Sequence, residues 1–165
     1  MKRFIVFAIK VIVAHVITYF IIGAISYPLL TKQFYVGPDP IFSTFMRTQA
    51  NPTLWQHVMI WFIPGQVLRG LLIALVLYPF FDTLKNWGYW KRFLSISSLY
   101  IVLGFWAAAV AAPGTIDGII YMRPEISQYA HLMVQPEILI QGLSSGLLIA
   151  WLMVPRRKGV VKTIG

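Results

Sequence analysis

Cysteine does not occur in the 165-residue chain, and charged residues are scarce. The lack of cysteine excludes disulfide bonds, thiolate nucleophiles, Cys-ligated zinc and iron–sulfur clusters. Only 12% of the residues are charged, whereas globular domains typically carry about 25%. The five Asp and Glu residues form no His-Glu-x-x-His or paired-aspartate motif. The sequence therefore predicts no catalytic residue and no metal site, and it favours a non-enzymatic protein over an enzyme.

The chain is rich in apolar residues where other proteins have charged ones. Hydrophobic residues make up 58% of the chain, and its mean hydropathy is +0.72. A water-soluble fold of this size cannot bury so much apolar surface. The net charge of +9 would suit nucleic acid if basic residues gathered with aromatics on a solvated face. Because the basic residues instead interrupt apolar runs, we expect the lipid bilayer as the partner, and no nucleic acid.

Four apolar runs approach or exceed the ~20 residues that a helix needs to cross a bilayer. They lie at residues 4–30, 55–81, 93–112 and 132–154. The sequence thus predicts an all-α integral membrane protein, with one membrane domain over residues 1–165 and four transmembrane helices.

The placement of lysine and arginine predicts the orientation of these helices. Three basic residues lie in the loops after the first and third segments: Lys32, Arg47 and Arg123. Ten lie at the two termini or around the loop between the second and third segments: Lys2, Arg3, Lys10, Lys85, Lys91, Arg92, Arg156, Arg157, Lys158 and Lys162. We therefore expect a multi-pass protein of the cell membrane with both termini in the cytoplasm. Arg156, Arg157 and Lys158 are expected to contact anionic lipid headgroups.

Two stretches of the chain resemble each other. Pro64-Gly-Gln-Val-Leu-Arg-Gly is followed by Leu-Leu-Ile-Ala, and Pro136-Glu-Ile-Leu-Ile-Gln-Gly is followed, after four further residues, by the same Leu-Leu-Ile-Ala. Four residues are about one helical turn, so the insertion nearly preserves the facing side. The match predicts two tandem hairpins that form a parallel pseudo-repeat. Pro136 is expected to begin its helix.

Arg69 is the charged residue expected deepest in the bilayer. A charge there must face protein or water and needs a partner. Gln66, three residues earlier, shares its helix face, and Glu137 and Gln141 share a face of the fourth segment. If the two repeat helices face each other, these four residues form a buried polar cluster. The cluster is either a structural ion pair that docks the hairpins or a site for a polar ligand or proton relay.

Three histidines fall in or near the apolar segments. His57 and His131 occupy equivalent places in the two repeats, as a bis-imidazole haem site would require. The alternative is that both lie at the membrane surface and bond to headgroups or to the loop backbone. His15 lies inside the first segment, where we expect it to hydrogen-bond to a neighbouring helix.

These observations leave three hypotheses for function. The first is a non-enzymatic accessory, assembly or structural membrane subunit, in a homodimer or in a membrane complex. The second is a small transporter or channel with its polar site between the second and fourth segments. The third is a haem-binding or enzymatic membrane subunit that uses His57 and His131.

Overall fold

The computed structural model describes residues 2–38, 40–44, 46–108, 111–122 and 124–153, and of residues 124–128 it describes the backbone only. Within these ranges all regular structure is helical. The α-helices are α1 Lys2–Ser26, α2 Lys32–Tyr35, α3 Pro52–Leu77, α4 Phe81–Asn86, α5 Tyr89–Ser98, α6 Ile116–Tyr121 and α7 Pro124–Leu152. Wider π-helical turns form Tyr27–Thr31 and Leu99–Trp106, and tighter 3-10 turns form Ile41–Thr44 and Tyr78–Phe80.

Three helical stretches in the described ranges are long and apolar enough to cross a membrane. They are Lys2–Tyr35, Pro52–Asn86 and Tyr129–Leu152. The prediction of an all-helical chain is confirmed for the described residues, and three of its helical stretches have the length and composition that a membrane span needs. The predicted lipid contacts at Arg156, Arg157 and Lys158 lie outside the described residues, as does Arg123.

The segment predicted at residues 93–112 takes a different form from the other three. It consists of the ten-residue α5 and the eight-residue π-helical stretch Leu99–Trp106. α5 begins with Tyr89, Trp90, Lys91 and Arg92, and the two basic residues lower the mean hydropathy of this helix. At the far end the Trp106 indole N–H donates to Gln135 Oε1 of α7 at 3.0 Å. This bond fixes the end of the segment against α7.

Pro136 does not begin its helix, in contrast to the expectation from the sequence. It lies inside α7, which starts at Pro124, just as Pro64 lies inside α3. A proline inside a helix removes one backbone hydrogen bond without ending the helix where neighbouring groups support it.

Helix packing depends on glycines that allow backbones to approach closely. α1 packs between α3 and α7, and α5 packs on α7. A Cβ atom on Gly70 of α3 would lie 2.8 Å from Ile12 Cα of α1, and one on Gly146 of α7 would lie 2.8 Å from the Ser97 backbone nitrogen of α5. Small residues are the usual means of close helix contact in membranes. The closest approaches therefore pair α1 with α3, and α5 with α7.

The start of α1, the α3–α4 connection, the start of α5 and the end of α7 meet at one end of the molecule, here called the basic end. Arg3 pairs with Asp82 of α4, and the Lys10 ammonium donates to the Leu152 carbonyl at 2.9 Å. The last carbonyls of a helix have no partner within it. Lys10 thus supplies a partner for the end of α7.

Arg92 is the most highly bonded side chain at the basic end. It is 4% exposed, and its guanidinium donates to the carbonyls of Ala150 at 2.7 Å, Leu84 at 2.8 Å, Trp87 at 2.9 Å and Lys85 at 3.2 Å. A single side chain thereby joins α4, the turn before α5, and the end of α7. The sequence identifies Arg92 only as one of the basic residues that predict the orientation of the helices in the membrane.

The close approach at Gly70 predicts that Gly70→Ala destabilises the protein. We expect its free energy of unfolding in detergent to fall by about 1–3 kcal/mol, the usual cost of overpacking. Gly65→Ala in the same helix is the matched control, because a Cβ atom there meets nothing within 4 Å. Equal stability of the two variants in thermal unfolding would contradict the close helix approach.

The Arg92 bonds predict a large difference between two adjacent residues. Arg92→Met should lower the free energy of unfolding by about 2 kcal/mol or more, because buried carbonyls lose their donor. The exposed Lys91 ammonium lies 4.4 Å from the centroid of the Trp87 ring, so Lys91→Met should cost about 1 kcal/mol or less. Denaturant titration of both variants measures the difference, and a cost for Arg92→Met no greater than for Lys91→Met would disprove the linking role.

Candidate functional site

A cavity of about 270 Å³ lies between α3 and the π-helical stretch Leu99–Trp106. We call it the central cleft; its lining includes His15 of α1, Arg69 and Ile73 of α3, Tyr100 and Leu103 of the π-helical stretch, and Gln141 of α7. Most of its wall is apolar, and the polar groups come from four different helical stretches. The cleft is thus an apolar space into which a few polar side chains converge, which is the usual composition of a small-molecule site.

Two features of local sequence make room for the cleft. The π-helical stretch has a wider turn than an α-helix, and such turns are frequent at functional sites. Gly104 lines the cleft and has no side chain to fill that part of the wall, where an added Cβ atom would meet only the Leu99 carbonyl oxygen at 3.6 Å.

His15 is the most deeply buried polar residue of the cleft. It is 1% exposed, and its ring connects α1 to two other helical stretches. Nε2 lies 3.2 Å from the Gln66 side-chain oxygen, and Nδ1 lies 3.5 Å from the Tyr100 hydroxyl. If Nε2 carries the proton, it donates to Gln66 and Nδ1 accepts from Tyr100. The prediction that His15 hydrogen-bonds to a neighbouring helix is confirmed.

A second polar contact lies one helical turn further along α1. The hydroxyl groups of Thr18 and Ser145 are 2.7 Å apart, and both residues are buried. Thr18 also donates to the Ala14 carbonyl of its own helix at 2.8 Å. Together with His15, this contact places the polar face of α1 between α3 and α7. The sequence signal was the three-residue spacing of His15 and Thr18 in an otherwise apolar helix.

Arg69 lies at the cleft without a protein partner in the described ranges. Its side chain is exposed, and it makes neither a hydrogen bond nor an ion pair with another described residue. Gln141 lines the same cleft from α7. Of the four residues predicted as a buried cluster, Arg69 and Gln141 therefore share the cleft, and Gln66 supports it through His15.

Glu137, the fourth predicted member, is not among the residues that line the cleft. It is half-buried on α7. Arg69 and Glu137 form no ion pair within 4.0 Å in the part of the chain that is described.

His57 and His131 have different surroundings. His57 is exposed, and its ring lies beside that of Trp61, with the centroids 6.3 Å apart. His131 is 7% exposed, and its Nδ1 accepts from the Gly114 backbone N–H at 2.7 Å. Among the described residues, no three His, Asp or Glu side chains gather as metal ligands would. Haem binding by this pair stays a prediction.

The length and composition of the helices indicate the class of protein. The chain is all-helical where it is described, and three of its helices have the length and composition of membrane spans, so it has the character of a membrane protein. Comparison with protein-family models, with curated proteins and with solved structures gives no match. A more specific function has to be argued from the central cleft itself.

Proposed function

We propose that this chain is a non-enzymatic protein that crosses the cell membrane four times and binds a hydrophobic anion in the central cleft. The anion we propose is a long-chain carboxylate that enters from the bilayer. Binding without chemistry agrees with the accessory or assembly role expected from the sequence. The observation that carries the proposal is an arginine without a described protein partner at the edge of an apolar cavity.

Contacts at the basic end support four crossings. Arg3 contacts α4, Lys10 contacts the end of α7, and Arg92 contacts both. The stretch from α5 to Trp106 leads away from this end, and its indole bonds to Gln135 of α7. By the excess of lysine and arginine, the basic end is the cytoplasmic one.

Glycine positions support the two-hairpin repeat. Gly70 and Gly142 are equivalent residues of the two similar stretches. Gly70 allows α3 to approach Ile12 of α1, and Gly142 allows α7 to approach Ile101, which follows α5. Equivalent glycines therefore lie where α3 crosses α1 and where α7 crosses the π-helical stretch that continues α5, as expected for tandem hairpins.

The charge of Arg69 determines the kind of ligand. Placing a guanidinium inside a bilayer without a counter-charge costs a free energy of about 2.5 kcal/mol or more. A carboxylate can accept hydrogen bonds from two of the guanidinium N–H groups at once. The cleft wall beside it is apolar, so the ligand also needs an apolar body. A cavity of about 270 Å³ is slightly below the usual range for small-molecule sites and suits a slender alkyl chain.

Exposed apolar side chains support entry from the lipid. Leu72 and Val76 on one side of the cleft are 54% and 62% exposed, and Leu103 on the other side is 62% exposed. In a bilayer these side chains face acyl chains. A ligand dissolved in the membrane therefore reaches Arg69 without crossing water.

A transport role is the second candidate. Away from the basic end, Tyr19 and Tyr35 line a common cavity, and Glu137 is half-buried on α7. These groups offer half of a polar path. Ligand binding is favoured over transport because the other half of the cleft, toward Val76 and Leu77, is apolar.

The cysteine-free sequence allows a direct test of four crossings. Single cysteines in place of Gln49, Asn86 or Tyr121, all exposed, provide one thiol per variant. In intact cells, a membrane-impermeant maleimide should label the cysteines at positions 49 and 121, and should label position 86 only after permeabilisation. If residues 89–106 do not cross the membrane, positions 86 and 121 will label alike, and the proposal of four crossings fails.

The proposed ligand site predicts selective binding of a carboxylate. In a non-ionic detergent, dodecanoate should raise the thermal midpoint of unfolding in a saturable way, whereas dodecanol of equal length should not. Arg69→Gln should weaken dodecanoate binding about tenfold to a hundredfold, because a charged hydrogen bond contributes about 1.5–3 kcal/mol. Lys91→Gln, which removes one charge away from the cleft, is the matched control.

A double variant separates the ligand site from a docking ion pair. If Arg69 and Glu137 form a structural pair, Arg69→Leu should destabilise the protein and Glu137→Leu should rescue it. The ligand site predicts instead that Arg69→Leu abolishes dodecanoate binding without destabilising the ligand-free protein, and that adding Glu137→Leu does not restore binding. Equal binding of dodecanoate by Arg69→Gln and the unaltered protein would reject the ligand site.

A further inference from the structure

A second and larger cavity, of about 940 Å³, lies at the basic end between the start of α1 and the end of α7. Basic and aromatic side chains line most of it. We call it the basic pocket and define it by Lys2, Arg3, Lys10, Lys85, Phe81 and Trp151. It shares no lining residue with the central cleft.

Positive charge in the basic pocket exceeds the negative charge that the described residues offer. Asp82 pairs with Arg3, and Lys10 uses one of its donors for the Leu152 carbonyl. Lys2, Lys10 and Lys85 have no carboxylate within 4.0 Å in the part of the chain that is described. Three ammonium groups around one cavity repel each other unless an anion lies between them.

The pocket also has an apolar rim that faces outward. Val6 is 50% exposed and Trp151 is 59% exposed, and both line the pocket. Tryptophan prefers the boundary between headgroups and acyl chains. The ligand that fits this combination has a phosphate at the lysines and an acyl chain along Val6 and Trp151.

We infer that the basic pocket binds an anionic phospholipid, with its phosphate between Lys2, Lys10 and Lys85. Basic pockets between transmembrane helices on the cytoplasmic side are suited to such headgroups. Three lysines without an acidic partner, together with the volume of the pocket, favour a lipid that carries two phosphates over one that carries a single phosphate. This inference concerns different residues from the proposed carboxylate site and is independent of it.

The test compares four probes on the full chain in a neutral detergent. They are cardiolipin with two phosphates, phosphatidylglycerol with one, zwitterionic phosphatidylcholine, and glycerol 1-phosphate without acyl chains. Native mass spectrometry measures bound lipid, and thermal unfolding measures stabilisation. We expect the affinity to decrease from cardiolipin to phosphatidylglycerol to phosphatidylcholine, and glycerol 1-phosphate to bind weakest.

Two exposed lysines near the same end provide a matched pair. Lys85→Gln should weaken cardiolipin binding about fivefold, since one basic residue near a lipid surface contributes about 1 kcal/mol. Lys91→Gln removes the same charge outside the pocket and should change binding less than twofold. Lys2 and Lys85 donate no side-chain hydrogen bond in the described ranges, so the double variant Lys2→Gln, Lys85→Gln should fold normally and lose most of its cardiolipin binding.

Three results would overturn the inference. Equal losses in Lys85→Gln and Lys91→Gln would mean that charge attracts lipid without a defined pocket. Equal affinity for phosphatidylcholine and cardiolipin would remove the role of the phosphate charge. Tight binding of glycerol 1-phosphate would mean that the ligand is a free phosphate compound and not a lipid.

Discussion

The main constraint on this chain is that a polar group inside a bilayer must find its partner within the protein or in a ligand. The described residues meet this constraint at Arg92 and His15 but not at Arg69. Arg92 bonds the carbonyls of Leu84, Lys85, Trp87 and Ala150 at the basic end. His15 bonds Gln66 and faces Tyr100 in the interior. For Arg69, the described residues provide no such partner, and this difference is the basis of the proposed ligand site.

The sequence was sufficient to predict the three long apolar helices, but it did not predict which helices pack against each other. Helical stretches near each predicted segment follow from the length of the apolar runs. The position of α1 between α3 and α7 does not follow, because a membrane helix is apolar on its lipid face as well as on its packed face, so periodicity does not reveal the buried side. As a result Gln66 was expected to contact the fourth segment, whereas it bonds His15 of the first.

The candidate site could be predicted in part for the same reason. The free-energy cost of placing a charge in the bilayer identifies Arg69 and its helix neighbour Gln66 as candidates. The similarity of the two stretches identifies Gln141. The role of Tyr100 could not be predicted, because it depends on the π-helical stretch Leu99–Trp106, and the apolar run at residues 93–112 carries no pattern that distinguishes a π-helical turn from an α-helical one. Arg92 was overlooked because a basic residue at a membrane boundary is usually solvated, and only the structure shows it among carbonyls.

The two cavities place positive charge at two different depths, and this separation has a physical consequence. At the basic end, several exposed lysines lie around one pocket. In the proposed orientation they meet water and headgroups, where the free-energy cost of each charge is small and salt screens each interaction. At the central cleft a single guanidinium lies among apolar side chains, where the attraction to one anion is stronger because the dielectric constant is low. The basic pocket is therefore suited to a lipid that is always present. The cleft is suited to an anion whose arrival changes the stability of the helix packing around His15 and Arg69.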